Sequence, residues 1–144
     1  MLPVKIKLLH KDAVIPEYAH LGDSGVDLRS MADYTLNPGQ VVLIDTGVAV
    51  QFENGYEAQI RPRSGLATKR KLTVINSPGT VDSTYTGEIK VALINMGDCV
   101  QGVAKGERIA QMVFAPVVHA EFEVVTDFAE TSRGEDGFGS TGTK

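Results

Sequence analysis

The sequence predicts an all-β protein, a barrel or sandwich of the jelly-roll kind, with one short helix and a mobile C-terminal tail. Three observations lead there. Short apolar segments alternate with polar residues at period two, turn signals separate them at regular intervals, and a single stretch suits a helix. Fifteen glycines and six prolines in 144 residues supply the turns that such a fold needs.

In chain order, Val4, Ile6 and Leu8 alternate with Lys5 and Lys7. Tyr56, Ala58 and Ile60 alternate with Glu57, Gln59 and Arg61, and Ile89, Val91 and Leu93 with Glu88, Lys90 and Ala92. Each segment has one face to bury and one to leave wet. Turns are expected at Asn37-Pro38-Gly39, Asn54-Gly55, Ser77-Pro78-Gly79, Met96-Gly97-Asp98 and Lys105-Gly106-Glu107. The helix is expected over residues 64–72, capped by Ser64 and with Leu66, Ala67 and Leu72 as its apolar side. After Phe128 apolar periodicity stops and Gly, Ser, Thr and charge take over. Residues 1–128 are therefore expected to form the domain and residues 129–144 a flexible tail.

The chain length fits one domain with a full core. Its composition, 42% hydrophobic and 22% charged, is that of a soluble globular protein, and no apolar run approaches the ~20 residues that would span a bilayer. The start, MLPVKIKLLH, lacks the parts of a secretory signal, which points to the cytoplasm. A single cysteine, Cys99, suits a reducing compartment and is expected to fill the core. A net charge of −4 and a pI near 5.3 argue against a sequence-independent nucleic-acid binder. His10, His20 and His119 are too scattered to suggest a metal site.

Two glycine patterns lie in the tail. GFGSTG at residues 137–142 matches a dinucleotide fingerprint but neither follows a strand nor opens a helix. GEDGFGST at residues 134–141 resembles a phosphate loop with Ser140 where the lysine belongs. Such backbone can still turn its N–H groups towards an anion. Phe138, between Gly137 and Gly139, has no role in a solvated linker and suits a ring that closes over a flat ligand.

Residues 61–67 (RPRSGLA) end a strand and begin the helix, an arrangement that serves equally as an anion site or as a capped helix with a solvated arginine. Residues 74–91 read as a hairpin whose loop carries Asp82 and Tyr85. Asp82 is there either a turn-former or a general base beside a ring that packs on a sugar.

Taken together, residues 22–28 (GDSGVDL), 62–67 (PRSGLA), 76–87, 106–111 (GERIAQ) and 133–142 (RGEDGFGSTG) closely resemble the five ordered motifs of the trimeric deoxyuridine triphosphatases. That resemblance implies a distorted jelly-roll-like β-barrel subunit. It further implies Mg2+-dependent hydrolysis of dUTP to dUMP and pyrophosphate, in three active sites shared between the subunits of a homotrimer. The activity would keep uracil out of DNA and supply dUMP for thymidylate synthesis.

By position, Asp27 matches the aspartate that holds the metal through water, and Arg63, Ser64 and Gly65 match phosphate binders. Asn76 and the hairpin backbone, with Gly79 and Val81, match the pocket that reads uracil. Tyr85 matches the ring on the deoxyribose, Asp82 the residue that activates the attacking water, and Gln111 a further phosphate contact. The fifth motif is similar to a lid donated by another subunit. In it Phe138 stacks on uracil, Arg133 pairs with phosphate, and Gly139, Ser140 and Thr141 meet the γ-phosphate.

The chain departs from the pattern at Thr84, Thr86, Ser24, Val26 and Asp136. Deoxycytidine triphosphate deaminases share the fold but typically carry tryptophan where Tyr85 stands, and this chain has none. A catalytically poor, dUTP-sensing regulator is the reading from another class, and the set Asp27, Asp82, Arg63, Ser64 and Phe138 speaks against it.

Overall fold

The computed structural model describes residues 1–142; residues 143 and 144, at the end of the expected tail, lie outside it. Ten strands and one helix follow in order: β1 (Lys5–Leu8), β2 (Val26–Arg29), β3 (Tyr34–Leu36), β4 (Val41–Gln51), β5 (Tyr56–Arg61), α1 (Ser64–Arg70), β6 (Leu72–Val74), β7 (Gly79–Asp82), β8 (Glu88–Asn95), β9 (Gln101–Val103) and β10 (Arg108–Pro116). They form two four-stranded sheets, β1-β4-β8-β6 and β2-β10-β5-β7, and a small β3-β9 pair. All pairings are antiparallel. This is the expected jelly-roll-like β architecture. Among the described residues no helix is long and apolar enough to cross a membrane.

Both sheets feed one buried cluster. Ile44, Val48, Val50, Leu72, Val74, Ile89, Val91 and Leu93 come from the first, and Val26, Leu28, Ala58, Ile60, Val81, Ala110 and Met112 from the second. β5 and β8 show the expected alternation, with Ala58 and Ile60, and Ile89, Val91 and Leu93, turned inwards. β4 departs from it because residues 46–50 are buried without a break. Gly47, at φ +72°, sits in this run, where the pairing with β8 shifts register. A Cβ there would lie 2.7 Å from Met31 Sδ and 3.0 Å from Ala13 Cβ, so only glycine fits the bulge.

Four expectations need correction. The helix cap is Arg63, without a side-chain capping bond, and Ser64 is the first helical residue. The helix stops at Arg70 because Lys71 turns left-handed (φ 53°), which frees Leu72 to enter β6 and the core. Residues 74–91 are no simple hairpin: β8 already has β4 and β6 on its two edges, so β7 pairs instead with the free edge of β5. Cys99 is exposed: Asn95 Nδ2 holds its carbonyl at 2.7 Å in a surface turn, and the thiol is not drawn into the core. The apolar face of β1 is also only partly covered, with Leu8 exposed.

Candidate active site

Asp27 lies in the middle of β2, on the outward face between buried Val26 and Leu28. Its Oδ1 accepts from Arg63 Nε at 2.8 Å and its Oδ2 from Arg108 Nη1 at 3.2 Å. The carboxylate is thus clamped by two charge-assisted bonds, each leaving an oxygen lone pair free. Across the sheet, Asp27 stands opposite Gln111 of β10, which stands opposite Arg61 of β5. Gln111 Nε2 donates to Pro62 O at 2.9 Å and so fastens β10 to the strand end that carries Arg63. Its Oε1 comes so close to Gly25 that a Cβ there would sit 2.7 Å away. That contact is what the first glycine-rich stretch provides.

At the start of α1 the first intrahelical bond runs from Ala67 N to Arg63 O at 3.1 Å, which leaves the amides of Ser64, Gly65 and Leu66 without helical partners. Ser64 and Gly65, with Asp27, Arg63, Arg108 and Gln111, line a cleft of about 380 Å3. Glu17, His20 and Asp23 line it as well. Three separate stretches of sequence therefore meet at one cleft, and five of the expected residues stand on it: Asp27, Arg63, Ser64, Gly65 and Gln111.

Arg108 is the site residue that sequence reasoning missed. It precedes Gln111 by three positions, which on a regular strand means the opposite face. A bulge between Arg108 and Ala110 restores the parity, so that Arg108 pairs with Arg29 while Gln111 pairs with Asp27. Its place inside the GERIAQ stretch was the signal available.

The remaining expected residues stand elsewhere. Gly79, Val81 and Asp82 are on β7, with Gly79 packed against the Asn76 amide, 3.2 Å from where its Cβ would be. Asp82 is exposed opposite Glu57, and its carbonyl accepts from Tyr85 N at 3.0 Å in a tight turn. Tyr85 Oη donates to Glu88 O at 2.8 Å, and its ring lies over Gly87, where any side chain would collide with it. From Asp27 to Asp82 is three strand spacings across the sheet and four residues along it. At ~4.8 Å and ~3.3 Å respectively, that is roughly 20 Å. Within one chain, the two aspartates cannot act on the same phosphorus.

Residues 117–142 carry no helix or strand. Val117 N donates to Gly55 O at 2.9 Å, and beyond it the tail's hydrogen bonds among the described residues stay within the tail: Arg133 Nε to Asp136 O at 2.7 Å, Ser140 N to Gly137 O at 3.1 Å, Gly142 N to Gly139 O at 2.9 Å. Phe138, at φ 48°, is fully exposed between its glycines, and Arg133, Gly139, Ser140 and Thr141 are exposed in the same segment.

Among the described residues no group of three His, Cys, Asp or Glu side chains could hold a metal. A single clamped carboxylate such as Asp27 fits Mg2+, which keeps most of its water and binds through one or two carboxylates together with substrate phosphates.

The dUTPase family model matches residues 11–142. The chain is 53% identical to the deoxyuridine 5'-triphosphate nucleotidohydrolase of Picosynechococcus sp., over 97% of this chain and 99% of that protein. It is 52% identical to that of Clostridium tetani, over 96% of each. Among solved structures, the dUTPase of Staphylococcus bacteriophage 80alpha with dUpNHpp superposes with a TM-score of 0.91 at 30% identity, covering 98% of this chain and 99% of that one. With three of its five motif stretches meeting at one cleft and these relatives spanning its length, the chain belongs to the dUTPase family.

Proposed function

We propose that this protein hydrolyses dUTP to dUMP and pyrophosphate in the cytoplasm, keeping uracil out of DNA and supplying dUMP for thymidylate synthesis. The observation that carries this reading is the single cleft in which Asp27, Arg63, Ser64, Gly65 and Gln111 converge. Asp82 takes a proton from water as the oxygen attacks the α-phosphorus, and the bond to the bridging oxygen breaks, releasing pyrophosphate. Arg63, the free amides at Ser64 and Gly65, and Gln111 orient the triphosphate and offset the charge that develops on it. Asn76, Gly79 and Val81 read uracil, and the Tyr85 ring meets the deoxyribose. Asp27 would hold Mg2+ through water, and the ion supplies charge neutralisation at the phosphate oxygens.

The active sites are shared between the subunits of a homotrimer. The separation of roughly 20 Å between Asp27 and Asp82 supports this, since a second copy must bring its β7 turn to the cleft of the first. The arm supports it too. Val118, Phe122, Val124 and Phe128 are almost fully exposed, and Ala120, Phe122 and Val124 alternate with Glu121 and Glu123. β1, whose outer edge has no partner strand among the described residues, offers the complement, with Lys5 and Lys7 alternating with Val4, Ile6 and Leu8 beside an apolar groove of about 740 Å3. Residues 129–144 then act as a lid on a neighbour's site, where Phe138 stacks on uracil, Arg133 pairs with phosphate, and Gly139, Ser140 and Thr141 meet the γ-phosphate. Closure excludes bulk water from the reacting phosphate.

The test is pyrophosphate release from dUTP, dCTP, dTTP and UTP, with Mg2+ and with chelator, for the full chain and for a chain ending at Thr131. The expected result is Mg2+-dependent release from dUTP alone, about a hundredfold weaker on truncation. Tight dUTP binding without release would overturn the catalytic reading.

A further inference from the structure

The bulge in β4 interrupts its ladder with β8. The two strands pair Asp45 with Lys90 and then Ala49 with Glu88, and the register shifts in between. Two side chains bridge the gap: Thr46 Oγ1 donates to Ile89 O, and Glu88 Oε1 accepts from Gly47 N at 2.9 Å. Backbone groups left unpaired away from water are costly, so these bonds fasten the first residues of β8 to the bulge. Gly47 is itself held in place. Leu9 N donates to its carbonyl at 2.8 Å, and Met31 and Ala13 pack where a Cβ would stand.

Glu88 carries this anchorage to the surface. It is half-buried, and Lys90, its neighbour on the outer face of β8, pairs with Asp45 at 2.8 Å instead. Among the described residues the Glu88 carboxylate has no cation within 4.0 Å, and Gly47 N is its hydrogen-bond donor. Its carbonyl accepts from Tyr85 Oη at 2.8 Å. Gly87 supplies the room, since a Cβ there would stand 2.6 Å from the same hydroxyl. Tyr85 is half-exposed, so this bond, rather than burial, fixes the direction of its ring.

We infer that Glu88 is a positioning residue for discrimination between sugars. Its carboxylate clamps the start of β8 to the Gly47 bulge, and its carbonyl thereby holds the Tyr85 ring where a deoxyribose fits and a 2′-hydroxyl does not. The inference rests on the proposed packing of Tyr85 on the deoxyribose. A steric filter needs a wall that does not yield, and hydrogen bonds behind a contacting side chain are what stiffen it.

The test compares the dissociation constants of UTP and dUTP, measured by calorimetry in chelator on the full chain, with dUTP turnover in Mg2+ followed alongside. Glu88→Ala is expected to lower the UTP-to-dUTP ratio roughly tenfold, chiefly through tighter UTP binding. Glu88→Gln keeps an oxygen for Gly47 N and should stay within about twofold of the unaltered chain. Tyr85→Phe cuts the bond to Glu88 O without touching β8, so it should lower the ratio about as much as Glu88→Ala, and the two combined should lower it no further. A general loss of stability would weaken both nucleotides together and leave the ratio where it was. An unchanged ratio in Glu88→Ala or in Tyr85→Phe therefore overturns the inference, as does a ratio that falls equally in Glu88→Gln. If Tyr85→Ala lowers the ratio while Glu88→Ala does not, the inference falls and the packing of Tyr85 on the sugar stands; a ratio that Tyr85→Ala leaves unchanged overturns both. The expected changes in a protein that binds dUTP without turning it over would sink the catalytic reading and uphold Glu88.

Discussion

The cleft and the arm are built in opposite ways. Every side chain that clamps Asp27 is anchored to a strand or a helix start, and the sheet register fixes its neighbours. The arm, by contrast, keeps its hydrogen bonds to itself beyond Val117 and leaves Phe122, Val124, Phe128 and Phe138 in solvent. A preorganised surface costs little to reorganise when substrate arrives, whereas exposed aromatic and aliphatic side chains are costly until something covers them. The difference is what the proposed trimer requires: in it, the half that positions phosphate is built into one chain, and the half that reacts with and encloses the nucleotide is supplied by other copies.

The predictions test that division, the largest effect first. Asp82→Ala should lower kcat by roughly 10²- to 10⁴-fold while the cleft still binds dUTP, as measured by steady-state rates and by calorimetry. An unchanged rate would remove Asp82 as the base. Ending the chain at Thr131 should lower kcat/KM by about a hundredfold, because the nucleotide is no longer held in reacting geometry. If that truncated chain kept full activity, the arm would be no lid.

Gly25→Ala pushes a methyl into Gln111 and Val113 and should cost about 1–3 kcal/mol in a denaturant titration, with a raised KM as Gln111 is displaced. Wild-type KM and stability in that variant would mean that the close packing of Gly25 on Gln111 does not position the site. The smallest effect lies far from both regions. The Asp12 carboxyl is held below its ordinary value, chiefly by the hydrogen bond from Lys105 Nζ. A depressed folded-state value gives stability that is fully present above the ordinary carboxyl value of 3.8 and is lost as pH falls below it through the lower folded-state value. Asp12→Asn should therefore lower Tm slightly at pH 7 and not at all at strongly acid pH. Because both groups are exposed, high salt should erase the difference.

Much of the fold was legible where one face of a strand is wet and the other dry, as along β5 and β8. It was illegible in β4, whose second half is buried on both faces and so shows no alternation. The cleft could be found from glycine, arginine and serine placed at a strand end, because those residue types limit what the backbone can do there. Arg108 was hidden by a bulge that the sequence does not announce. The pairing of β7 with β5 depends on which strand edges are already occupied, a global property, and so the distance between Asp27 and Asp82 could not be read from local pattern. Cys99 was misplaced because composition alone says nothing of which way a turn points its side chain.

The most direct test of shared sites is subunit complementation. Asp27→Asn and Asp82→Ala, each almost inactive alone, would be unfolded together, refolded as a mixture and assayed for pyrophosphate release from dUTP. If the cleft of one copy works with the Asp82 of another, mixed assemblies should regain roughly a quarter of wild-type activity, the share of sites that pair two intact halves. Activity no higher than that of the separate variants, in mixtures shown by mass spectrometry to contain both chains, would mean that each chain carries its own complete site.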